Sequence, residues 1–240
     1  MKKAFTLVEL LTVIAIIAIL AGMTMPALSY ARALGHRTDC LNNKRNILSM
    51  MHVYAHLSDG VFPVQANGDT WGYILRGDDI TYDRDFVPER SLKCTAANED
   101  INAAADNTIG MLFASDTWAA ASKEYIAGNG AITNQQHFGK FWVTDPAGGS
   151  DLVYQLSQMK HASSLIMFAD SFDANGKSVW YFDPQDQNGA GQITEAHGSE
   201  AVVAFADGSA VAATAAELYK VSNSKYFRDG TYTLETQPTP

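Results

Sequence analysis

The sequence lacks the features that a nucleic-acid-binding protein needs. After Lys2 and Lys3 there is no cluster of lysine or arginine, and the 240 residues carry a formal net charge of −9. A surface that follows a phosphate backbone requires such clusters, so nucleic acid is excluded as an expected partner. Charged residues of either sign are also missing between Leu10 and Ala31. A charge-free apolar run of this kind indicates a membrane segment.

Cysteine is scarce as well. Cys40 and Cys94 are the two cysteines of the chain, and both follow the apolar run. If the compartment beyond the membrane is oxidising, a single disulfide between them is predicted. The alternative is a pair of buried thiols, because free cysteine is among the most buried residue types.

The N-terminus combines a short basic leader with the apolar run. Roughly 20 apolar residues are enough to cross a bilayer as one helix, and Lys2 and Lys3 are expected to stay on the cytoplasmic side. The rest of the chain is then expected outside the cytoplasm. A plain signal anchor is one alternative. A cleaved secretory signal peptide is another, although residues 29–31 form only a weak cleavage site and the apolar run is longer than usual.

Glu9 lies near the start of the apolar helix that begins at Phe5, directly before the charge-free run, where neither alternative predicts a charge. A carboxylate carried to the bilayer centre costs about 2.5 to 3.5 kcal/mol, and less near the edge. One local explanation is a capping box with Thr6, because a carboxylate in the first turn also suits the helix dipole. A capping box explains why Glu9 is tolerated, but it leaves the surrounding pattern unexplained.

That pattern resembles the N-terminal signature of prepilins: a basic leader, a small residue, then Phe-Thr-Leu-x-Glu-Leu-Leu and an unbroken apolar helix. In that family a membrane peptidase cuts after the small residue and methylates the new terminal amine. The resemblance implies cleavage between Ala4 and Phe5 and N-methylation of Phe5. Glycine is usual before the cut, and Ala4 departs from that pattern. The implied partners are a prepilin peptidase, other copies of the chain, minor pilins and an inner-membrane assembly platform.

The same resemblance gives Glu9 and Pro26 roles in assembly, since they match the family's glutamate and its helix-breaking proline. In a filament core the amine of Phe5 and the carboxylate of Glu9 would both leave water, which is costly unless they pair. Glu9 of one copy is therefore expected to neutralise Phe5 of its neighbour. Pro26 lacks an N–H and clashes with the carbonyl of Gly22, which weakens the helix there. Proline kinks are also common in ordinary membrane helices.

Beyond Arg32 the helical pattern continues but becomes amphipathic. Its apolar residues form one stripe that must be buried, and the polar residues at 42–46 are expected to face mostly away from it. The helix is expected to end at residues 58–60. The heptad row of the stripe consists of Leu34, Leu41, Leu48 and Ala55, flanked by Cys40, Ile47, Met51 and Tyr54.

The remainder predicts short strands. Apolar runs at 165–169 and 179–182 are bounded by turn residues, as strands usually are. The runs at 201–206 and 209–213 flank Asp207-Gly208, which predicts a hairpin whose two turn residues both accept a positive φ. Residues 64–160 are predicted to be an irregular insertion with short elements.

A second resemblance joins several of these segments. His197, nine intervening residues and then Asp207-Gly208 resemble the group of prepilin-type proteins that carry an H-x9-DG segment. Further likenesses to that group are Cys40-Leu41-Asn42-Asn43, the segment from Tyr54 to Pro63, Leu92-Lys93-Cys94 and Ala169-Asp170-Ser171.

The resemblance implies an α+β fold of the pilin type. A long N-terminal helix, half in the membrane and half amphipathic, is expected to pack on an antiparallel β-sheet domain in a lollipop arrangement. The expected division is a leader at 1–4, a transmembrane and assembly half of the helix at 5–31, an amphipathic half at 32–58, a globular β-rich domain at 59–236 and a tail at 237–240.

The sequence gives little support for a catalytic site. His197 and Ser199 are too close in one strand to form a triad with Asp207, and no strand-turn-helix nucleophile elbow is present. No catalytic residue and no enzymatic activity are therefore expected. His52 and His56 have the i, i+4 spacing of a metal pair, but no third ligand is evident, so an exposed polar face explains them better.

A calcium loop is the remaining candidate for a bound ion. Asp183, Asp186 and Asn188 gather oxygen ligands, and major pseudopilins of related type carry calcium in a C-terminal loop. Their spacing does not fit an EF-hand, and aspartate, asparagine and glycine are ordinary turn residues. A solvated turn is therefore expected, with no cofactor.

Together these patterns predict a structural subunit of a type II secretion pseudopilus or a type IV pilus-like fibre. It would cross the bacterial inner membrane once, with a cytoplasmic N-terminus and a periplasmic globular domain, before extraction into the fibre. The alternative is a membrane-anchored extracytoplasmic binding module with a prepilin-type leader. The two hypotheses differ in whether the helix ever leaves the bilayer.

Overall fold

The computed structural model of the chain describes residues 7–66, 68–76, 86–94, 109–114, 116–123, 131–144, 151–183, 185, 191–221, 226–229 and 234–236. The chain divides into two compact units, residues 1–36 and residues 37–240. The predicted leader, the Ala4–Phe5 junction and the predicted tail lie outside the described residues.

The first helix, α1, runs from Leu7 to Leu57 with Pro26 inside it. Between Leu7 and Ala31 every side chain is exposed, including large apolar ones such as Ile14 and Ile17. Within the described part of the chain, α1 is the one helix long and apolar enough to cross a bilayer. Because Pro26 has no N–H, it cannot donate the usual helical bond to the carbonyl of Gly22.

The second half of α1 buries one face in the second unit. The predicted stripe is confirmed for Leu48 and Ala55, whereas Leu34 is 42% exposed. The expectation that the polar residues at 42–46 face away is wrong for Lys44, which is fully buried. The buried residues of the helix are Cys40, Lys44, Ile47, Leu48, Met51, Tyr54 and Ala55.

The helix ends where the sequence predicts. Asp59 and Gly60 have φ values of 52° and 83°, and the Gly60 amide donates to the carbonyl of Ala55 at 2.8 Å. A left-handed residue at this position satisfies a carbonyl at the end of the helix. The chain then turns directly into the first strand.

Short helices and short strands make up the rest of the described chain. Four further helices are α2 (Trp71–Leu75), α3 (Asp116–Ala120), α4 (Asn134–Phe138) and α5 (Ala215–Val221). The strands are β1 (Val61–Ala66), β2 (Asp69–Thr70), β3 (Gly110–Leu112), β4 (Ser122–Lys123), β5 (Ile132–Thr133), β6 (Trp142–Thr144), β7 (Leu152–Gln155), β8 (Ile166–Ala169), β9 (Ser171–Phe172), β10 (Tyr181–Phe182), β11 (Gln192–Thr194), β12 (Ala201–Phe205), β13 (Ala210–Ala213), β14 (Tyr226–Arg228) and β15 (Leu234–Thr236).

The described strands form four sheets that are mostly antiparallel. Their strand orders are β2-β1-β7-β6, β10-β3-β8-β12-β13, β15-β14-β11-β9 and β4-β5. The pairs β3/β10 and β11/β14 are parallel. A long apolar helix followed by antiparallel-rich sheets confirms the predicted α+β fold class.

The five-stranded sheet carries the centre of the core. Every residue of β8 and of β12 is buried, so both faces of this sheet are covered. Side chains from α1, among them Ile47 and Leu48, belong to the same apolar cluster as Phe168 and Val203. The amphipathic half of α1 thus shares its core with the sheet.

The predicted hairpin is confirmed, but its turn differs from the expected one. Strands β12 and β13 pair antiparallel through Ala204 and Ala210. The Gly208 amide donates to the carbonyl of Phe205 at 3.0 Å, and Gly208 has a φ of 96°, whereas Asp207 does not have a positive φ. The loop is longer than the predicted two-residue turn. Gly208 lies after the centre of the turn, so it is the one residue of the loop that needs a left-handed conformation.

Candidate functional site

Two regions of the part of the chain that the structure describes are candidates for function. The first is the exposed apolar helix of the first unit, which carries one acidic side chain, Glu9. Glu9 is exposed, and its carbonyl accepts a hydrogen bond from Oγ1 of Thr12 at 3.0 Å. Its predicted partner Phe5 lies outside the described residues, so the pairing of Glu9 with the amine of a neighbouring copy stays a prediction.

The second region is a group of five side chains in the second unit: Cys40, Lys44, Cys94, Asp170 and His197. We call it the buried polar cluster. Cys40 and Lys44 are four residues apart on α1 and therefore share one helix face. The other three come from the chain after residues 89–92, from the junction of β8 and β9, and from the loop between β11 and β12.

An ion pair lies at the centre of the buried polar cluster. Nζ of Lys44 lies 2.5 Å from Oδ1 of Asp170, and neither side chain has any exposed surface. The other oxygen, Oδ2 of Asp170, accepts a hydrogen bond from the Val202 amide at 3.0 Å. Buried charges are tolerated when they are paired and hydrogen-bonded in this way. The partner of Lys44 explains why a lysine faces the core.

Two thiols lie beside the ion pair. Sγ of Cys40 and Sγ of Cys94 are 3.1 Å apart, and Sγ of Cys94 is 3.5 Å from Nε2 of His197. Sulfur atoms in a disulfide are about 2.05 Å apart, so both cysteines are buried thiols in this structure. The predicted disulfide between Cys40 and Cys94 is not present here, and it stays a prediction for the oxidised chain.

The close contacts shift the ionisation of these groups. The hydrogen bond from Cys94, helped by His197 and by the charge of Lys44, lowers the pKa of the Cys40 thiol. The same hydrogen bond, together with burial, raises the pKa of Cys94. Burial by itself would lower the pKa of Lys44, but the negative charge of Asp170 raises it above the ordinary value. Lys44 is therefore held as a cation beside Asp170 and the two cysteines.

The sequence favours His197 as an anchor of the loop before the hairpin, bonded to a turn carboxylate, but in the structure it contacts a different carboxylate. Its Nε2 lies 3.5 Å from Oδ2 of Asp170, and its side chain is 3% exposed. The turn carboxylate of Asp207 instead accepts from the amide and hydroxyl of Ser209. The residues of the H-x9-DG segment therefore lie in two separate locations. His197 belongs to the buried polar cluster, and Asp207-Gly208 belongs to the turn.

Among the residues that the structure describes, the other metal candidates His52, His56 and Asp183 do not come together in one site. Nε2 of His52 lies 3.2 Å from the carbonyl of Ala206, and His56 is exposed. Asp183 is buried, and its Oδ1 accepts from the Gln185 amide at 2.9 Å, as in an ordinary turn. The other two calcium candidates, Asp186 and Asn188, lie outside the described residues.

Sequence reasoning missed Lys44 and Asp170 as site residues. A signal for both was present: a lysine one helical turn after Cys40, and an aspartate at the end of a fully apolar strand. Charged residues at such positions are rarely buried unless they are paired. Their pairing could not be read from the sequence because 126 residues separate them.

Comparison with known proteins adds one match. Residues 1–25 match the prokaryotic N-terminal methylation motif. No curated protein and no solved structure matches the chain. The motif and the exposed apolar helix indicate a membrane-anchored protein of the pilin or pseudopilin-like kind, processed by a prepilin peptidase and assembled with other pilin subunits. The N-terminus of this chain is thus a prepilin-type signal, the family feature that the sequence resemblance predicted.

Proposed function

We propose that the chain is a structural subunit of a type II secretion pseudopilus or a type IV pilus-like fibre, with no catalytic role. It is inserted in the bacterial inner membrane with its N-terminus in the cytoplasm and residues 37–240 in the periplasm. A prepilin peptidase removes Met1 to Ala4 and methylates Phe5. The helix is then extracted into the fibre with the help of an inner-membrane assembly platform.

The observation that carries this proposal is a contrast between the two halves of α1. From Leu7 to Ala31 its apolar side chains are all exposed, whereas the apolar face after Arg37 is buried in the core of its own unit. Apolar helix surface of that length must be covered by lipid or by other helices. The first half is therefore available for assembly, whereas the apolar face of the second half is already buried.

Glu9 determines how the exposed half of α1 is aligned with the same helix of a neighbouring copy. It is the one acidic residue among the first 38 residues of the chain. In a dry filament core a carboxylate needs a cation, and the terminal amine of processed Phe5 in a neighbouring copy supplies one. The pair fixes how far one helix is displaced along the next.

The periplasmic location also bears on the two cysteines. That compartment is oxidising, so we propose that Cys40 and Cys94 form a disulfide there. Their sulfur atoms lie 3.1 Å apart and would have to approach to about 2.05 Å, which is a short movement. The bond would join α1 to the segment that follows residues 89–92.

The proposal is tested by co-assembly. A tagged wild-type chain is expressed with Glu9→Ala in a bacterium that supplies a prepilin peptidase and an assembly platform, and the fibres are sheared and isolated. We expect Glu9→Ala to insert in the membrane yet to be missing from the fibres. Thr12→Val is the matched control, since it changes another polar residue of the same helix and should co-assemble.

Incorporation of Glu9→Ala at the wild-type level would contradict the role of Glu9 in assembly. A wild-type chain that is processed but stays in the membrane would favour a membrane-anchored binding module instead.

A further inference from the structure

We infer that the buried polar cluster of the reduced chain is a zinc site, with Cys40, Cys94, His197 and Asp170 as its four ligands. The bound ion and the disulfide are two exclusive states of the same cysteines, chosen by the redox state of the chain. This inference concerns the second unit and does not depend on the proposed assembly of the first helix.

The distances within the cluster fit a tetrahedral ion. One ligand atom from each of the four residues lies within 4.8 Å of the other three. With Zn–S near 2.3 Å and Zn–N or Zn–O near 2.0 Å, the edges of the tetrahedron measure about 3.3 to 3.8 Å. The S–S distance is 3.1 Å, and Nε2 of His197 lies 3.5 Å from both Sγ of Cys94 and Oδ2 of Asp170. Completing the site requires the S–S distance to lengthen by about 0.7 Å and any ligand atoms near the 4.8 Å limit to approach by up to about 1 Å.

The ligands are also oriented for this purpose. Nε2 of His197 faces Cys94 and Asp170 at once, so a single ion can reach all three. Lys44 holds Oδ1 of Asp170, which leaves Oδ2 directed at the histidine. The Val202 amide also donates to Oδ2, and a carboxylate oxygen with two lone pairs can accept it while binding a metal. Such outer hydrogen bonds commonly orient metal ligands.

The charge balance of a zinc site explains why Lys44 is buried beside its ligands. Two thiolates and Asp170 carry three negative charges, which zinc and the ammonium of Lys44 neutralise together. A buried ion pair alone adds little stability compared with apolar side chains of the same volume. In a metal site, however, the cation of Lys44 offsets the excess negative charge of a two-thiolate, one-carboxylate set. The thiol protons leave to solvent on binding, and no oxidant or reductant takes part.

The kind of metal site follows from its burial. Cys40 has no exposed surface, Cys94 is 7% exposed, and the histidine side chain is 3% exposed. Four protein ligands without an open position are typical of structural zinc sites, whose binding energy stabilises the fold. The ion would fasten α1 to three other segments of the second unit at one point.

The test uses the full chain, purified in detergent micelles with a non-thiol reductant and stripped of metal. Zinc should bind with one ion per chain, and Co²⁺ in its place should give tetrahedral d–d absorption with sulfur-to-cobalt charge transfer. The same chain after oxidation to the disulfide should lose this binding. Absence of binding by the reduced wild-type chain, or an octahedral cobalt spectrum without charge transfer, would overturn the inference.

Variants then assign the ligands. Cys94→Ser and Asp170→Asn should each weaken zinc binding by at least about 100-fold, since even outer hydrogen-bond partners are worth 10- to 100-fold. His52→Gln and His56→Gln are the matched controls and should bind as wild type does. If binding survives both ligand variants, or is lost in the controls, the ion is adventitious and the site is refuted. Should a variant fail to fold, the wild-type cobalt spectrum still decides.

Discussion

Lys44 on α1 and Asp170 after β8 form an ion pair 2.5 Å long with no exposed surface on either side chain. The pair joins the helical stem to the centre of the five-stranded sheet within the second unit. It also means that neither charge can be removed alone without leaving the other in the core.

Replacement of Lys44 by methionine should strongly destabilise the second unit. The stem of the side chain is kept, but Asp170 loses its cation, and breaking a buried pair typically costs 3 to 5 kcal/mol. The double variant Lys44→Met/Asp170→Asn should recover part of that loss, because no unpaired charge remains. Denaturant unfolding of the full chain in micelles, followed by tryptophan fluorescence, measures both effects.

The control for this experiment is Lys177→Met, which changes an exposed lysine of the same unit. It should alter the free energy of unfolding by less than about 0.5 kcal/mol. A Lys44→Met variant as stable as this control would show that the ion pair contributes nothing to the stability of the unit.

The redox state of the cysteines gives the second prediction. Protein isolated from an oxidising compartment should show no reactive thiol when it is unfolded without reduction. A bond between residues 54 positions apart should stabilise the folded chain by about 4 kcal/mol through the lost entropy of the unfolded chain. Two reactive thiols per chain would contradict the disulfide and leave the cysteines in the state that the proposed zinc site requires.

Processing of the leader gives the third prediction. The intact mass of protein taken from its native membrane should lack Met1 to Ala4 and include one added methyl group on Phe5. Ala4→Gly, which restores the residue usual before the cut, should be processed at least as completely. Cleavage near Ala31 would instead identify an ordinary secretory signal peptide.

The stacked imidazoles of His137 and His161 predict a pH dependence of stability. Their rings are 4.2 Å apart at an angle of 6°. Burial, with a smaller effect of His161, lowers the pKa of His137 below its ordinary value of 6.5. Below that pH the unfolded chain takes up a proton that the folded chain resists, so stability should fall as the pH falls below about 6.5.

His137→Gln should flatten this decline, whereas His56→Gln, at an exposed site on α1, should retain it. Thermal unfolding midpoints of the three chains across that pH range are the measurement. Equal slopes for wild type and His137→Gln would exclude the histidine pair as the cause.

The fifth prediction separates the two halves of α1. A chain that begins at Arg32 keeps the buried helix face and loses the exposed one, so it should be a soluble monomer. The full processed chain should need detergent or lipid. Sedimentation at low and moderate ionic strength measures the state of the truncated chain. Stable oligomers in the absence of the first half would place the assembly interface on the globular part.

The features that could be predicted from the sequence are those that rest on local pattern. The apolar run, the stripe through Leu48 and Ala55, the end of α1 near Gly60 and the hairpin at Gly208 each follow from spacing within a few residues. Helical and strand periodicity, capping and turn chemistry all act over such distances.

What could not be predicted depends on contacts between distant segments. Strand β1 pairs with β7, which lies some 90 residues further along the chain, and no periodic pattern specifies that choice. Lys44 is polar, and a helical stripe assigns it to the solvent face until its carboxylate partner is known. His197 likewise has its partner at Asp170 and not at Asp207, because folding brings the end of β8 beneath its loop.

The position of Asp170 has a consequence for how the second unit opens. Asp170 is the single residue between β8 and β9, where the chain passes from the five-stranded sheet to the sheet that contains β11. Its amide and carbonyl bond to Val202 and Thr194, one in each sheet, while its carboxylate holds Lys44. Neither sheet can separate from this residue without disturbing the other. Slow hydrogen exchange at Thr194 and Val202 should therefore report one shared unfolding event rather than two local ones.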